Sequence, residues 1–188
     1  MKQSEMIKQL SDEELIRSLT LSQSFFLVLS FIGSVIFFDS MTDWISLFQL
    51  NLNEIIYYGM IPGILIVIID LILMLFLPKR YYDDGGINER IFKSLNFKEI
   101  FFICIFIAVS EELLFRGVIQ TTFGYIPASI IFALVHVRYL SKPVLLVSVL
   151  LISFFIGYLF EMTGNLNVTI LAHFTVDFVL GIIIRYKK

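Results

Sequence analysis

Charge is the scarcest commodity in this chain of 188 residues. Only 16% of them are Asp, Glu, Lys or Arg, against roughly a quarter in soluble domains. With 58% apolar residues and a mean hydropathy of +0.89, water is excluded as the main solvent and lipid takes its place. Cysteine is nearly absent: Cys104 stands alone, which excludes an intrachain disulfide and leaves the redox compartment open. The net charge of -2 supplies no basic footprint, so no nucleic acid is expected as a partner. A signal peptide is not expected either. Residues 1–20 are polar and of mixed charge, without a short apolar core or a small-residue cleavage site. No internal repeat or low-complexity tract is visible, and a single domain is the simplest organisation.

What is present is apolar length. A helix needs about 20 apolar residues to cross the hydrocarbon layer. Six runs qualify, near 21–38, 55–77, 99–120, 122–140, 143–161 and 166–185. The fourth is the weakest, interrupted by Gly124 and Pro127 at its start and by Arg138 at its end. The basic residues test the count. Every one but Arg116 falls on one side of a six-span arrangement, and the loops 39–54, 121–126 and 161–167 contain none. The positive-inside rule then places both termini in the cytoplasm. The expected fold is all-α, a polytopic bundle over 21–188 preceded by a cytoplasmic or interfacial segment, 1–20. Ser11 and Glu14 form a capping-box pattern in that segment. Met6, Ile7, Leu10, Leu15, Ile16 and Leu19 would line one side of short helices at the membrane surface. In the linker 78–98, Gly85-Gly86 marks a turn. Ile87, Ile91, Phe92 and Leu95 beside Arg90 and Lys93 suit an interfacial helix, with an ordinary basic loop as the alternative.

Several residues do not belong in lipid. Glu111, Glu112 and Arg116 lie within six residues of the third run, at a cost of a few kcal/mol each. Four residues separate Glu112 from Arg116, so they share a helix face and can pair. Glu111 is turned about 100° away and is free for other work. Both histidines of the chain lie in apolar runs: His136 four residues after Phe132, and His173 four before Asp177. A lone intramembrane histidine is more often structural than catalytic, but the whole set has little purpose in a passive scaffold. Such a set suits water activation. A carboxylate serves as general base, one imidazole holds the water or relays its proton, and the other donates to a developing oxyanion. Ser110 and Cys104 have no histidine near in sequence and are poor candidates for a nucleophile. Asp70 is expected to pair with Arg116 or face a cavity. Tyr57, Tyr58, Tyr125 and Tyr158 read as interfacial or packing aromatics.

The motifs Glu111-Glu112-x-x-x-Arg116, Phe132-x-x-x-His136 and His173-x-x-x-Asp177 stand in order on apolar segments. Together they resemble the CAAX-protease and bacteriocin-processing family of intramembrane endopeptidases, over a core at about 99–185. The resemblance implies that Glu111 and His136 activate the attacking water and that His173 and Asp177 stabilise the oxyanion. Glu112, Arg116 and Phe132 would then order the site. Because the family's third motif often ends in Asn, Asp177 is expected to orient and charge His173. A specificity for prenylated substrates is not carried over. One depth disagrees: Glu111 and His173 lie about 18 Å from the basic ends of their spans, and His136 nearer the cytoplasm. Span four is therefore expected to be short, tilted or preceded by a re-entrant loop at Gly124–Pro127.

The reading is thus a multi-pass peptidase of the cell membrane that acts on a membrane-associated peptide or protein and needs no cofactor. The alternatives are a non-catalytic immunity or scaffold protein, a zinc site built from the same Glu, His and Asp ligands, and a proton-coupled transporter. The HExxH spacing of many zinc peptidases is missing, and Arg116 does not suit a cation site. No repeated half supports a transporter.

Overall fold

The computed structural model describes residues 10–187, all helix and connecting turns. The readings made for Lys2, Met6, Ile7, Lys8 and Lys188 fall outside those residues. Helix α1 spans Asp12–Phe37 and α2 Met41–Ser46. Helix α3 runs Leu52–Phe76 with one wide turn at Ile56–Met60. Next come α4, Lys79–Tyr82, and α5, Ile87–Ser94. Helix α6 begins as Phe97–Glu112, widens into a π-helix over Leu113–Gln120 and closes with Thr121–Phe123. Helix α7 is Tyr125–Val135, and a 3₁₀ turn follows at Val137–Tyr139. Helices α8, Pro143–Thr163, and α9, Leu166–Tyr186, complete the bundle.

Among the described residues four helices (α1, α3, α8 and α9) are long and apolar enough to cross a membrane. Many of their large apolar side chains, such as Phe31, Ile36, Leu65 and Leu151, are exposed in the protein alone and so face lipid. The chain is a polytopic helical membrane protein. The fourth predicted span is corrected. In place of a run over 122–140 the structure has the eleven residues of α7, about 16 Å long, too short to cross alone. Gly124, at φ +93°, breaks the chain before it, in a conformation only glycine adopts readily. The helix stops at His136.

Arg90, Arg138 and Arg185 meet their partners at one end of the bundle. Arg90 pairs with Asp12 at 2.7 Å and donates to the Leu10 carbonyl at 2.6 Å. Arg138 lies 3.7 Å from Asp84, and Arg185 donates to the Lys93 carbonyl at 2.6 Å. At the other end Asn165, fully buried, donates to the Gln49 carbonyl at 2.9 Å and accepts from the Gln49 N–H at 3.2 Å. The Leu166 N–H reaches the Leu47 carbonyl at 2.7 Å.

The Ser11–Glu14 capping box opens α1: the Ser11 N–H donates to Glu14 at 2.7 Å and the Glu14 N–H to Ser11 Oγ at 3.2 Å. Helix α1 runs through residue 20 without interruption. Leu10, Leu15, Ile16 and Leu19 cover Ile87, Ile91 and Leu95 of α5 and its following turn, so protein takes the place of the membrane surface. The linker helix is therefore real. Gly85 and Gly86, at φ +91° and +80°, make its entering turn, and Asp84 caps it by accepting from the Ile87 and Asn88 N–H groups. On its exposed side Glu89 accepts from Lys93 at 2.8 Å and lies 3.6 Å from Lys79. The Lys93 hydrogen bond and charge, with Lys79 behind them, hold the Glu89 carboxyl below its ordinary 4.5. A lowered carboxyl contributes stability above its unfolded value and loses it as pH falls through the folded one. Glu89→Gln is expected to flatten the acid side of the stability curve below about pH 4.5, read as unfolding midpoint against pH.

Helix α3 meets α9 through Gly59 and Gly63, a Gly-x-x-x-Gly pair that lets backbones approach closely in lipid. A Cβ at Gly63 would lie 2.8 Å from both the Ala172 carbonyl and Thr175 Cβ. Gly63→Leu should force the two helices apart and cost about 1–3 kcal/mol or more, seen as a lowered unfolding midpoint.

Candidate active site

Helix α6 carries the site because its chemistry changes where its geometry does. Asn96 and Glu99 form a capping box that fixes its start. Directly after Glu112 the helix widens, and the Thr121 N–H reaches back five residues to the Arg116 carbonyl. Such wide turns inside α-helices recur at functional sites. Gly117 within this stretch admits the Trp44 ring, 2.8 Å from where a Cβ would stand.

Glu112 and Arg116 pair at 3.3 Å, both fully buried, as their spacing suggested. Arg116 Nη2 also donates to the carbonyl and hydroxyl of Ser153 on α8, at 3.0 and 3.2 Å. Its guanidinium lies 4.5 Å over the Phe132 ring. The expected partnership with Asp70 is not formed; Glu112, Ser153 and Phe132 take the arginine instead. The second oxygen of Glu112 is bonded to His173 Nδ1 at 2.8 Å. An ionised carboxylate only accepts, so Nδ1 carries the proton and Nε2 is aimed the other way. There it lies 3.5 Å from Asp177 Oδ2 and 3.9 Å from Glu111 Oε2. His173 is thus oriented by Glu112 as well as by Asp177, a sharing the sequence reading had not assigned.

Glu111 is 5% exposed. Its Oε1 accepts from Gln23 Nε2 of α1 at 2.8 Å, and its Oε2 is buried without a hydrogen-bond partner. Gln23 in turn accepts from Ser110 Oγ at 2.7 Å. Neither Gln23 nor Ser153 was singled out from sequence. Gln23 is the one amide in the first apolar run, a weak signal that it belonged to something, but its partner is 88 residues away. Ser110 contacts no histidine, and Cys104 is fully buried in the cluster beneath α5; neither is placed as a nucleophile.

His136 sits at the end of α7. Its Nδ1 is 2.8 Å from the Phe132 carbonyl. A carbonyl only accepts, so this nitrogen donates, and in the neutral ring Nε2 keeps the lone pair. The ring lies 4.9 Å from that of Phe132, which is itself 6.0 Å from His173 and 5.0 Å from Phe115. Tyr139 stacks on its other side at 5.7 Å. His136 therefore reaches the site through Phe132, and it forms no ion pair with Glu111 among the described residues. Helix α7 ends at this residue, so span four is short, one of the outcomes expected for it. The structure brings together Glu111, Glu112, Arg116, Phe132, His173 and Asp177, with His136 one ring away.

Residues 93–179, which contain all seven, match the family model described as type II CAAX prenyl endopeptidase Rce1-like. The chain is also 41% identical over 155 residues to the uncharacterized protein YpbD of Bacillus subtilis (strain 168), covering 82% of each. The chain belongs to the Rce1-like family. No solved structure matches it. The matched residues contain all three motifs and leave α1, and with it Gln23, outside.

Proposed function

We propose that this Rce1-like protein is an endopeptidase of the cell membrane that hydrolyses a peptide bond in a membrane-associated peptide or protein. The observation that carries the reading is the asymmetry of Glu111: one oxygen is held by Gln23, and the other is buried, unbonded and turned toward His173. A water held by Glu111 Oε2 would give its proton to Glu111 while its oxygen attacks the carbonyl carbon of the substrate; His136, packed on Phe132, borders the site. The oxyanion that forms meets the Nε2–H of protonated His173, held in place by Glu112 and Asp177. Glu111 then passes the proton to the departing amide nitrogen, the C–N bond breaks, and a free acid and a free amine leave. Charge stabilisation of this kind is strongest where water is scarce.

No metal enters the scheme. Glu112 is bonded to His173 through one oxygen and ion-paired with Arg116 through the other, and a cation there would meet the guanidinium. The test is a membrane-peptide pool incubated with reconstituted protein in ¹⁸O-water. New C-termini should carry one ¹⁸O with wild type and none with Glu111→Gln, and prior chelator treatment should leave the yield unchanged. Loss of cleavage on chelation, restored by zinc, would replace this mechanism by a metal-dependent one. Equal labelling by wild type and Glu111→Gln would end the peptidase reading.

A further inference from the structure

We propose that Gln23 is a positioning residue that decides which oxygen of Glu111 takes the proton. The inference rests on the peptidase reading and adds to it a residue from a helix outside the family match. Gln23 is 4% exposed and stands on α1, whose neighbouring positions largely face lipid. A buried amide in such a helix is costly unless both of its ends are bonded. Both ends have a partner: Nε2 donates to Glu111 Oε1 at 2.8 Å, and the amide oxygen lies 2.7 Å from Ser110 Oγ, whose one proton it shares with the Phe106 carbonyl at 2.6 Å. The orientation of the amide follows, because an ionised carboxylate offers no proton and the NH₂ end must face it.

The helix is pinned on either side of this contact. Leu15, Ile16 and Leu19 pack against α5 and its following turn on the cytoplasmic side. On the other side Phe26 meets Phe115 edge-on at 5.6 Å, and Gly33 admits Val118, whose nearest methyl would lie 2.6 Å from a Cβ there. Gln23 therefore cannot withdraw without moving α1. With Oε1 occupied, Glu111 cannot rotate freely about its last bond, and Oε2 stays turned toward His173 Nε2. The proton-accepting oxygen is assigned before any substrate arrives. Such preorganisation acts on the chemical step and leaves substrate binding alone.

The test uses full-length protein in nanodiscs and the near-isosteric Gln23→Met, with thermal unfolding to confirm the fold. Subtracting the infrared spectrum of Glu111→Gln from that of wild type isolates the carboxylate stretch of Glu111; the same subtraction is made in the Gln23→Met background. The band should shift, and kcat should fall about 10- to 100-fold, the scale of one hydrogen bond to a charged group, with KM unchanged. Ser110→Ala should reproduce part of both effects. An unmoved band in folded Gln23→Met overturns the proposal whatever the activity. A moved band with unchanged kcat overturns it as well. If wild type shows no hydrolysis that Glu111→Gln removes, the peptidase reading fails by itself, and the infrared result alone then decides whether Gln23 fixes the carboxylate.

Discussion

Glu111→Gln is expected to leave the fold intact and to lower kcat/KM by at least about three orders of magnitude. The substitution keeps the size of the side chain and an oxygen that can accept from Gln23 Nε2. His173 keeps its bond to Glu112, and the Arg116 pair is untouched. What disappears is the group that removes a proton from water and later returns it to the leaving nitrogen. General base or acid catalysis by one positioned side chain contributes roughly 10²- to 10⁴-fold, and here one residue serves in both directions. The measurement is steady-state cleavage of a membrane peptide beside thermal unfolding of the same preparation. Unchanged biological activity in a folded variant would favour a scaffold or immunity protein over an enzyme.

The largest effect on stability is expected from Arg116→Met. Glu112 would keep its charge in a fully buried position, with His173 as its only remaining charged partner. Removing one member of a buried ion pair costs about 3–5 kcal/mol, and the lost contact over Phe132 adds about 1 kcal/mol. In a chain of this size that corresponds to a fall in unfolding midpoint of about 10 °C. The double variant Glu112→Gln/Arg116→Met removes both charges and should recover much of the loss. A single variant that unfolds within about 1 °C of wild type would show that the pair is not needed for stability. Arg116→Lys is not conservative either: a lysine cannot reach Glu112 and both groups of Ser153 at once while lying flat on the Phe132 ring.

Some of this was legible because membrane chains write their plan in hydropathy and charge. The placement of the basic residues anticipated the end at which Arg90, Arg138 and Arg185 meet their partners, and Gly85-Gly86 anticipated the turn before α5. The spacing of Glu112 and Arg116 anticipated their contact even though the helix widens between them. The limits were equally physical. An apolar run such as 122–140 shows what can enter lipid, not where a helix stops. Gly124 and the break at His136 shortened it without changing its hydropathy. The apolar face of α5 was legible, but whether lipid or protein covers it depends on α1. Asp70 was read, by charge, as a partner of Arg116 or as facing a cavity, while the carbonyl of Ser153, invisible as a charge, joined Glu112 around the arginine. Gln23 lay beyond any local rule because helix periodicity carries no information across 88 residues.

The two ends of the bundle are fastened by different physics. At one end the fastenings are ionic: Arg90 to Asp12, Arg138 to Asp84, and Glu89 to its lysines. On the far side they are neutral amide bonds from Asn165 to Gln49. Dissolved salt screens exposed charges over a Debye length of about 8 Å at physiological strength and leaves neutral hydrogen bonds nearly alone. Ionic strength therefore acts on this molecule as a one-sided solvent variable. It loosens the end that carries the ion pairs and leaves the opposite rim nearly unchanged.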